Sequence, residues 1–200
     1  MKTIYFVWHG ESEHSVSEVQ LGADSALTEK GIRQADFIAK RCRSFSLEAI
    51  IASPYKRARD TAEIINRQLG LKVESSELFE ERRRPSEQIG LNRNDEKWKD
   101  AERMTRENIC QPGWRYSDEE NMDDLLERSR RALDLLANRT EGCILVVTHG
   151  WFLRALVTQV VMGSQVTPEI TKRFVRNFYS ENTSLSVIGY DPNRRGPEDP

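Results

Sequence analysis

Cysteine is scarce in this chain, and its count is odd. Cys42, Cys110 and Cys143 offer no C-x-x-C spacing, which argues against a disulfide framework or a zinc ribbon and for reduced thiols in a cytoplasmic protein. Long apolar runs are missing too. The longest apolar region, Trp151 to Met162, is interrupted by Arg154, Thr158 and Gln159. That falls short of the roughly 20 residues a bilayer demands, so no membrane span is expected. The first apolar run is short and leads straight into His9-Gly10-Glu11 without a small-residue cleavage pattern, so no targeting segment is expected either. A charge excess is absent as well. Thirty Lys and Arg stand against 32 Asp and Glu, a formal net charge of −2, which gives no broad attraction to nucleic acid or an anionic membrane. Histidines number three. Two of them lack the Asp/Glu neighbours of a metal ligand set, so neither a metal nor another cofactor is expected.

What is present is a globular chain of 200 residues, 38% hydrophobic and 31% charged, long enough for one domain with its own core and well-solvated helices. Thr3–Val7 reads as a first strand, followed by a polar loop from Glu11 to Ala26. Thr28 is placed to cap a helix whose inward stripe is Ile32, Ala35, Ile38, Ala39 and Cys42. Ala49–Ala52 is a second short strand. Ser53-Pro54 then signals a helix start, serine as cap and proline at the first position. That helix runs through Ala58, Ala62, Ile65 and Leu69, and Gly70 ends it. Leu71–Glu74 suggests a third strand. Residues 80–118, with Arg82-Arg83-Arg84 and a thin stripe of Trp98, Met104, Ile109 and Trp114, read as a partly helical cap inserted over the sheet edge; a surface loop is the alternative. A helix over Glu120–Asn138, a strand over Cys143–Thr148, a buried helix after Gly150 and a last strand over Thr183–Tyr190 complete the pattern. Residues 191–200, with three prolines, read as a disordered tail. No internal repeat is found. Alternating strands and helices predict a single α/β domain over residues 1–190, a three-layer α/β/α sandwich around a mostly parallel sheet.

Two histidines share one setting. Ile4-Tyr5-Phe6-Val7-Trp8-His9-Gly10 and Ile144-Leu145-Val146-Val147-Thr148-His149-Gly150 are each an apolar run ending in His-Gly. Ligands of parallel sheets bind outside the carboxyl ends of the strands, so the two imidazoles are placed to meet at one edge. Glycine permits a sharp turn there, and a helix N-terminus that follows offers free N–H groups to an anion such as phosphate. One imidazole can attack phosphorus while the other holds the transferring oxygens. Arg57, in the first turn of its helix, leans toward the same strand ends with a two-pronged donor set. The alternative is two strand-end histidines that never meet and a solvated arginine.

These residues fall into an ordered set of motifs: His9-Gly10-Glu11-Ser12, Leu27-Thr28-Glu29-Lys30-Gly31 with Gln34-Ala35, Ser53-Pro54-Tyr55-Lys56-Arg57-Ala58 with Thr61-Ala62, Thr148-His149-Gly150 with Arg154, and Asn182-Thr183-Ser184. In that order they resemble the histidine phosphatase, or phosphoglycerate mutase-like, superfamily over Ile4 to about Gly189. The resemblance implies a metal-independent phosphomonoester hydrolase. His9 would be the nucleophile that becomes phosphohistidine. Arg57 and His149 would bind the phosphoryl group, with Gly10 and Ser15 as further pocket positions. Glu81 would be the proton donor and later the base, with Glu80 as the alternative. The partner would be a small phosphorylated substrate or inorganic phosphate, and oligomeric state stays open. Two positions depart from the family. Trp8 stands where arginine is usual, and Ser15 where asparagine is frequent. Arg82 or Arg83 are candidates to supply the missing cation. Otherwise the activity is weakened, or the chain is a decayed phosphate-binding module; a mutase-type phosphoryl transferase is a further alternative.

Overall fold

The computed structural model describes residues 1–191. Residues 192–200 of the expected tail lie outside them. Five strands form one sheet: β1 (Lys2–Trp8), β2 (Ala49–Ala52), β3 (Val73–Ser75), β4 (Cys143–Thr148) and β5 (Leu185–Tyr190). Their order is β3-β2-β4-β1-β5. All pairings are parallel except β1 with β5, which is antiparallel. The helices are α1 (Glu13–Val16), α2 (Glu29–Cys42), α3 (Lys56–Asn66), α4 (Glu96–Asn108), α5 (Met122–Ala137), α6 (Gly150–Met162) and α7 (Pro168–Asn177). No helix among the described residues is long and apolar enough to cross a membrane.

Both faces of the central strands are apolar because each is covered. Val7, Ile50, Ala52, Leu145 and Val147 pack against Ile38, Ala39 and Cys42 of α2 and Ala58, Ala62 and Ile65 of α3. The alternate residues Ile4, Phe6, Ile51, Ile144 and Val146 pack against α5, α6 and Val175 of α7. This is the expected three-layer sandwich with a mostly parallel sheet. Thr28 caps α2 by accepting the Gly31 N–H. Gly70 turns the chain after α3 with φ +68.

Three local expectations need correction. The loop between β1 and α2 contains the single turn α1, held by a capping box between Ser12 and Ser15. Ile32 lies on the outer side of α2 and is 44% exposed, its inward place taken by Gly31. The third helix begins at Lys56 rather than at Pro54, and Ser53 does not cap it. The cause lies in the site below, where the Ser53 hydroxyl is engaged elsewhere. Residues 80–118 are partly helical, as expected. They include a 3-10 turn at Ser86–Gln88 and the helix α4, which buries Ala101 and Thr105. A bridge between Val19 and Asn92 ties this segment to the loop after β1.

Candidate active site

Strand register brings the two histidines together. Trp8 of β1 pairs with Thr148 of β4, so the next residue on each strand is a histidine at the same carboxyl edge. The His9 N–H continues the ladder to the Thr148 carbonyl at 3.0 Å. The rings lie 4.9 Å apart, centroid to centroid. Both are buried, His9 5% exposed and His149 fully enclosed. Arg57, in the first turn of α3, reaches the same point. Its Nε donates to His9 Nε2 at 3.1 Å and its Nη1 to the Ser25 hydroxyl at 3.2 Å. The guanidinium also lies over the Tyr55 ring at 5.0 Å.

The hydrogen bonds fix the tautomer of His9. Its Nδ1 lies 2.7 Å from the Gly10 carbonyl. A carbonyl only accepts, so Nδ1 carries the proton and Nε2 the lone pair. Burial, and then the Arg57 charge, push the pKa of His9 down to about 3. Burial, followed by the neighbouring His9 and Arg57, holds His149 well below its usual value. Both imidazoles are therefore neutral at pH 7, and His9 presents an unprotonated nucleophilic nitrogen. His149 Nε2 lies 2.8 Å from the Ser53 hydroxyl. Its Nδ1 is buried with no partner among the described residues. An orphaned buried ring nitrogen is costly unless a ligand group completes it.

The loop after β1 is positioned by a close backbone crossing. A side chain at Gly31 would meet the Glu11 carbonyl at 1.9 Å, and one at Gly10 would meet the Gly31 carbonyl at 2.5 Å. Only glycines let α2 pass over the chain that carries His9. On the other side, the Asn182 amide donates to the His9 carbonyl at 2.9 Å and the Thr183 N–H to the Trp8 carbonyl at 2.8 Å. Thr183 adopts φ +59 to do so, an uncommon conformation for a β-branched residue.

A cavity of about 240 Å³ opens beside Arg57, lined by Tyr55, Glu81, His14, Leu21, Ile89 and the arginines 82–84 among others. Glu81 lines it, with its carboxylate accepting from the N–H groups of Trp151 at 3.2 Å and Phe152 at 3.0 Å, in the first turn of α6. Glu80 does not line this cavity; it lines a neighbouring hollow together with Glu81, Arg128 and Arg131, where burial raises its pKa.

Of the residues singled out from sequence, His9, His149, Arg57 and Glu81 converge on this region. Gly10 takes part differently from a phosphate donor. Its N–H is committed to the Thr61 hydroxyl at 3.1 Å, and its carbonyl orients His9. Ser15 is not brought in: it is exposed, and its hydroxyl faces Ser12 at 3.1 Å in the capping box. Arg82 does not stand in for a missing cation at His9. It is buried and donates to Glu119 at 3.0 Å and to the Glu120 carbonyl at 3.1 Å. Arg83 Nε donates to the Asp118 carbonyl and Arg84 pairs with Glu102. His14 is half-buried in the cavity wall with Nδ1 on the Leu21 carbonyl at 2.7 Å. Burial, then the Arg57 charge, lowers its pKa to about 4. Ser53, Tyr55 and Thr61 stand in the motif around Arg57, but the sequence assigns them no role in the site. Ser25, in the loop before α2, carries no signal at all.

Comparisons with known proteins bear on the same span. The family model of the histidine phosphatase superfamily (branch 1) matches residues 4–198. A protein named "Probable phosphoglycerate mutase GpmB" from Photorhabdus laumondii is 35% identical over 195 residues, 95% of this chain and 86% of that one. An "Uncharacterized phosphatase PhoE" from Bacillus subtilis is 32% identical over 170 residues, 82% of this chain and 79% of that one. Among solved structures, Bacillus stearothermophilus YhfR superposes with a TM-score of 0.80 at 26% identity, covering 96% of this chain and 93% of the other.

Proposed function

The chain belongs to the histidine phosphatase superfamily, and on that premise we propose that it hydrolyses small phosphomonoesters through a phosphohistidine at His9. The observation that carries this reading is the convergence of one unprotonated imidazole nitrogen, one guanidinium and a second neutral imidazole on one buried point. His9 Nε2 attacks phosphorus. The ester bond breaks, and its electron pair leaves with the alcohol oxygen, which takes a proton. The Gly10 carbonyl holds the Nδ1 proton and steadies the imidazolium-like phosphohistidine as it forms. Arg57 and His149 Nδ1 hold phosphoryl oxygens. Glu81, at the mouth of the Arg57 cavity, delivers the proton to the leaving group and then draws one from the water that cleaves the N–P bond. The segment 80–118 is the cap over this mouth. Its mixed lining of Leu21, Ile89, Tyr55 and arginines suits a small organic phosphate. No metal takes part in this scheme. Three unpaired cysteines support a cytoplasmic setting.

The test is release of orthophosphate from a panel of phosphomonoesters in the presence of EDTA. Wild-type protein should turn over at least one ester, and His9→Ala should lose about a thousandfold or more, as covalent nucleophiles do. A mutase would return an isomeric ester with little free phosphate. Equal orthophosphate release by wild type and His9→Ala would end the reading.

A further inference from the structure

We propose that the indole N–H of Trp8 is a phosphoryl-oxygen donor, a neutral partner to Arg57 in the same site; this rests on the hydrolase reading above. Trp8 Nε1 donates to His9 Nε2 at 3.3 Å, and Arg57 Nε donates to the same atom at 3.1 Å. Because Nδ1 holds the ring proton, Nε2 has a single lone pair for both donors. When that pair forms the N–P bond, both N–H groups lose their acceptor. The atoms that arrive at that place are the oxygens on phosphorus. For Trp8 no other acceptor stands among the described hydrogen bonds, so the indole N–H turns to a phosphoryl oxygen and keeps its proton throughout.

The indole is built in. Its ring lies against Gly150, where an added Cβ would come within 2.9 Å of it. The Arg154 guanidinium stands over the ring at 6.0 Å and is fixed by the Gly150 and Val175 carbonyls, each at 2.8 Å. The ring edge at the nucleophile is therefore set by the packing at the start of α6. A neutral donor here leaves Arg57 as the cation touching His9 among the described residues.

Two measurements test this. The first compares wild type with Trp8→Phe, which keeps a ring over Gly150 and removes the N–H. Hydrolysis of an aryl phosphate should fall ten- to a hundredfold in kcat/KM, the range for one hydrogen bond to a charged group, and inhibition by orthophosphate should weaken to a similar degree. A folded Trp8→Phe protein with wild-type values for both would overturn the proposal. The second uses the wild-type chain labelled with ¹⁵N-tryptophan, so it holds even if the variant does not fold. Saturation with orthophosphate should shift the Trp8 indole N–H resonance; an unmoved Trp8 resonance at saturation would overturn the proposal. If wild type hydrolyses nothing but still binds orthophosphate with that shift, the hydrolase reading fails and the donor stands. If wild type binds no orthophosphate, both fail.

Discussion

In the reaction proposed above, Glu81 would serve structure and chemistry at once. Its carboxylate satisfies two N–H groups in the first turn of α6, which also begins with the residue after His149. The proton it would give the leaving group matters most when that group is a poor one. Glu81→Gln should therefore cost a hundredfold or more in kcat/KM on an alkyl phosphate but less than tenfold on a nitrophenyl phosphate, whose leaving oxygen needs no proton. Glu80 does not line the Arg57 cavity, and Glu80→Gln should leave both rates unchanged. A uniform loss on both substrates for Glu81→Gln would mean that the residue only braces α6. Steady-state kinetics on the two esters decides.

At the scale of elements, Ser53 carries a signal that tertiary structure overrides. A serine before proline is a sound helix cap by local rules. Here its hydroxyl lies between the Tyr55 N–H at 3.3 Å and His149 Nε2 at 2.8 Å, and α3 starts later. Ser53→Ala would leave both nitrogens of His149 unpaired in a buried setting. It should lower stability by about 1–3 kcal/mol and reduce kcat/KM roughly tenfold by loosening His149. Thr167 offers the contrast. It caps α7 by accepting from the Ile170 N–H at 3.2 Å, and Thr167→Ala should cost about 1 kcal/mol with kcat/KM intact. Urea denaturation and kinetics on the two variants separate a cap from a site residue. The same contrast marks what was legible. The His-Gly strand ends, the helix stripes and the position of Arg57 follow from short-range periodicity, which apolar spacing records. Ser53, His14 and Arg82 do not, because their partners lie 96, 7 and 37 residues away through folds of the loops. Arg82-Arg83-Arg84 looks like a solvated turn until Glu119 draws the first of them inside. Ser15 was read by analogy of position, and one turn of helix α1 was enough to point it outward.

At the scale of the whole molecule, this site makes stability depend on pH. His9 and His149 are buried neutral, His9 with a pKa near 3 and His149 well below the ordinary 6.5. In the unfolded chain both would titrate near 6.5. Below that pH the unfolded state binds more protons than the folded one, so stability falls as pH falls; above it, the histidines contribute no slope. Each adds up to about 1.4 kcal/mol per pH unit. From pH 7 to pH 5 the pair should remove about 4 kcal/mol, a large share of the 5–15 kcal/mol typical of a domain. His14, lowered to about 4 but part-exposed, adds a smaller amount of the same sign. The carboxylates held down by arginine, such as Glu141 with a pKa of about 2, act only below their unfolded value near 4.5. Glu80, raised by burial, opposes weakly. The melting temperature should accordingly drop by roughly 8–16 °C between pH 7 and pH 5, at 2–4 °C per kcal/mol for a chain of this size. His9→Asn, which removes one of the two titrations, should recover about half of that drop. A melting temperature that is the same at pH 7 and pH 5 in the wild-type protein would mean that the two imidazoles are not held neutral in the fold, and with that the unprotonated nucleophile at His9 would lose its physical basis.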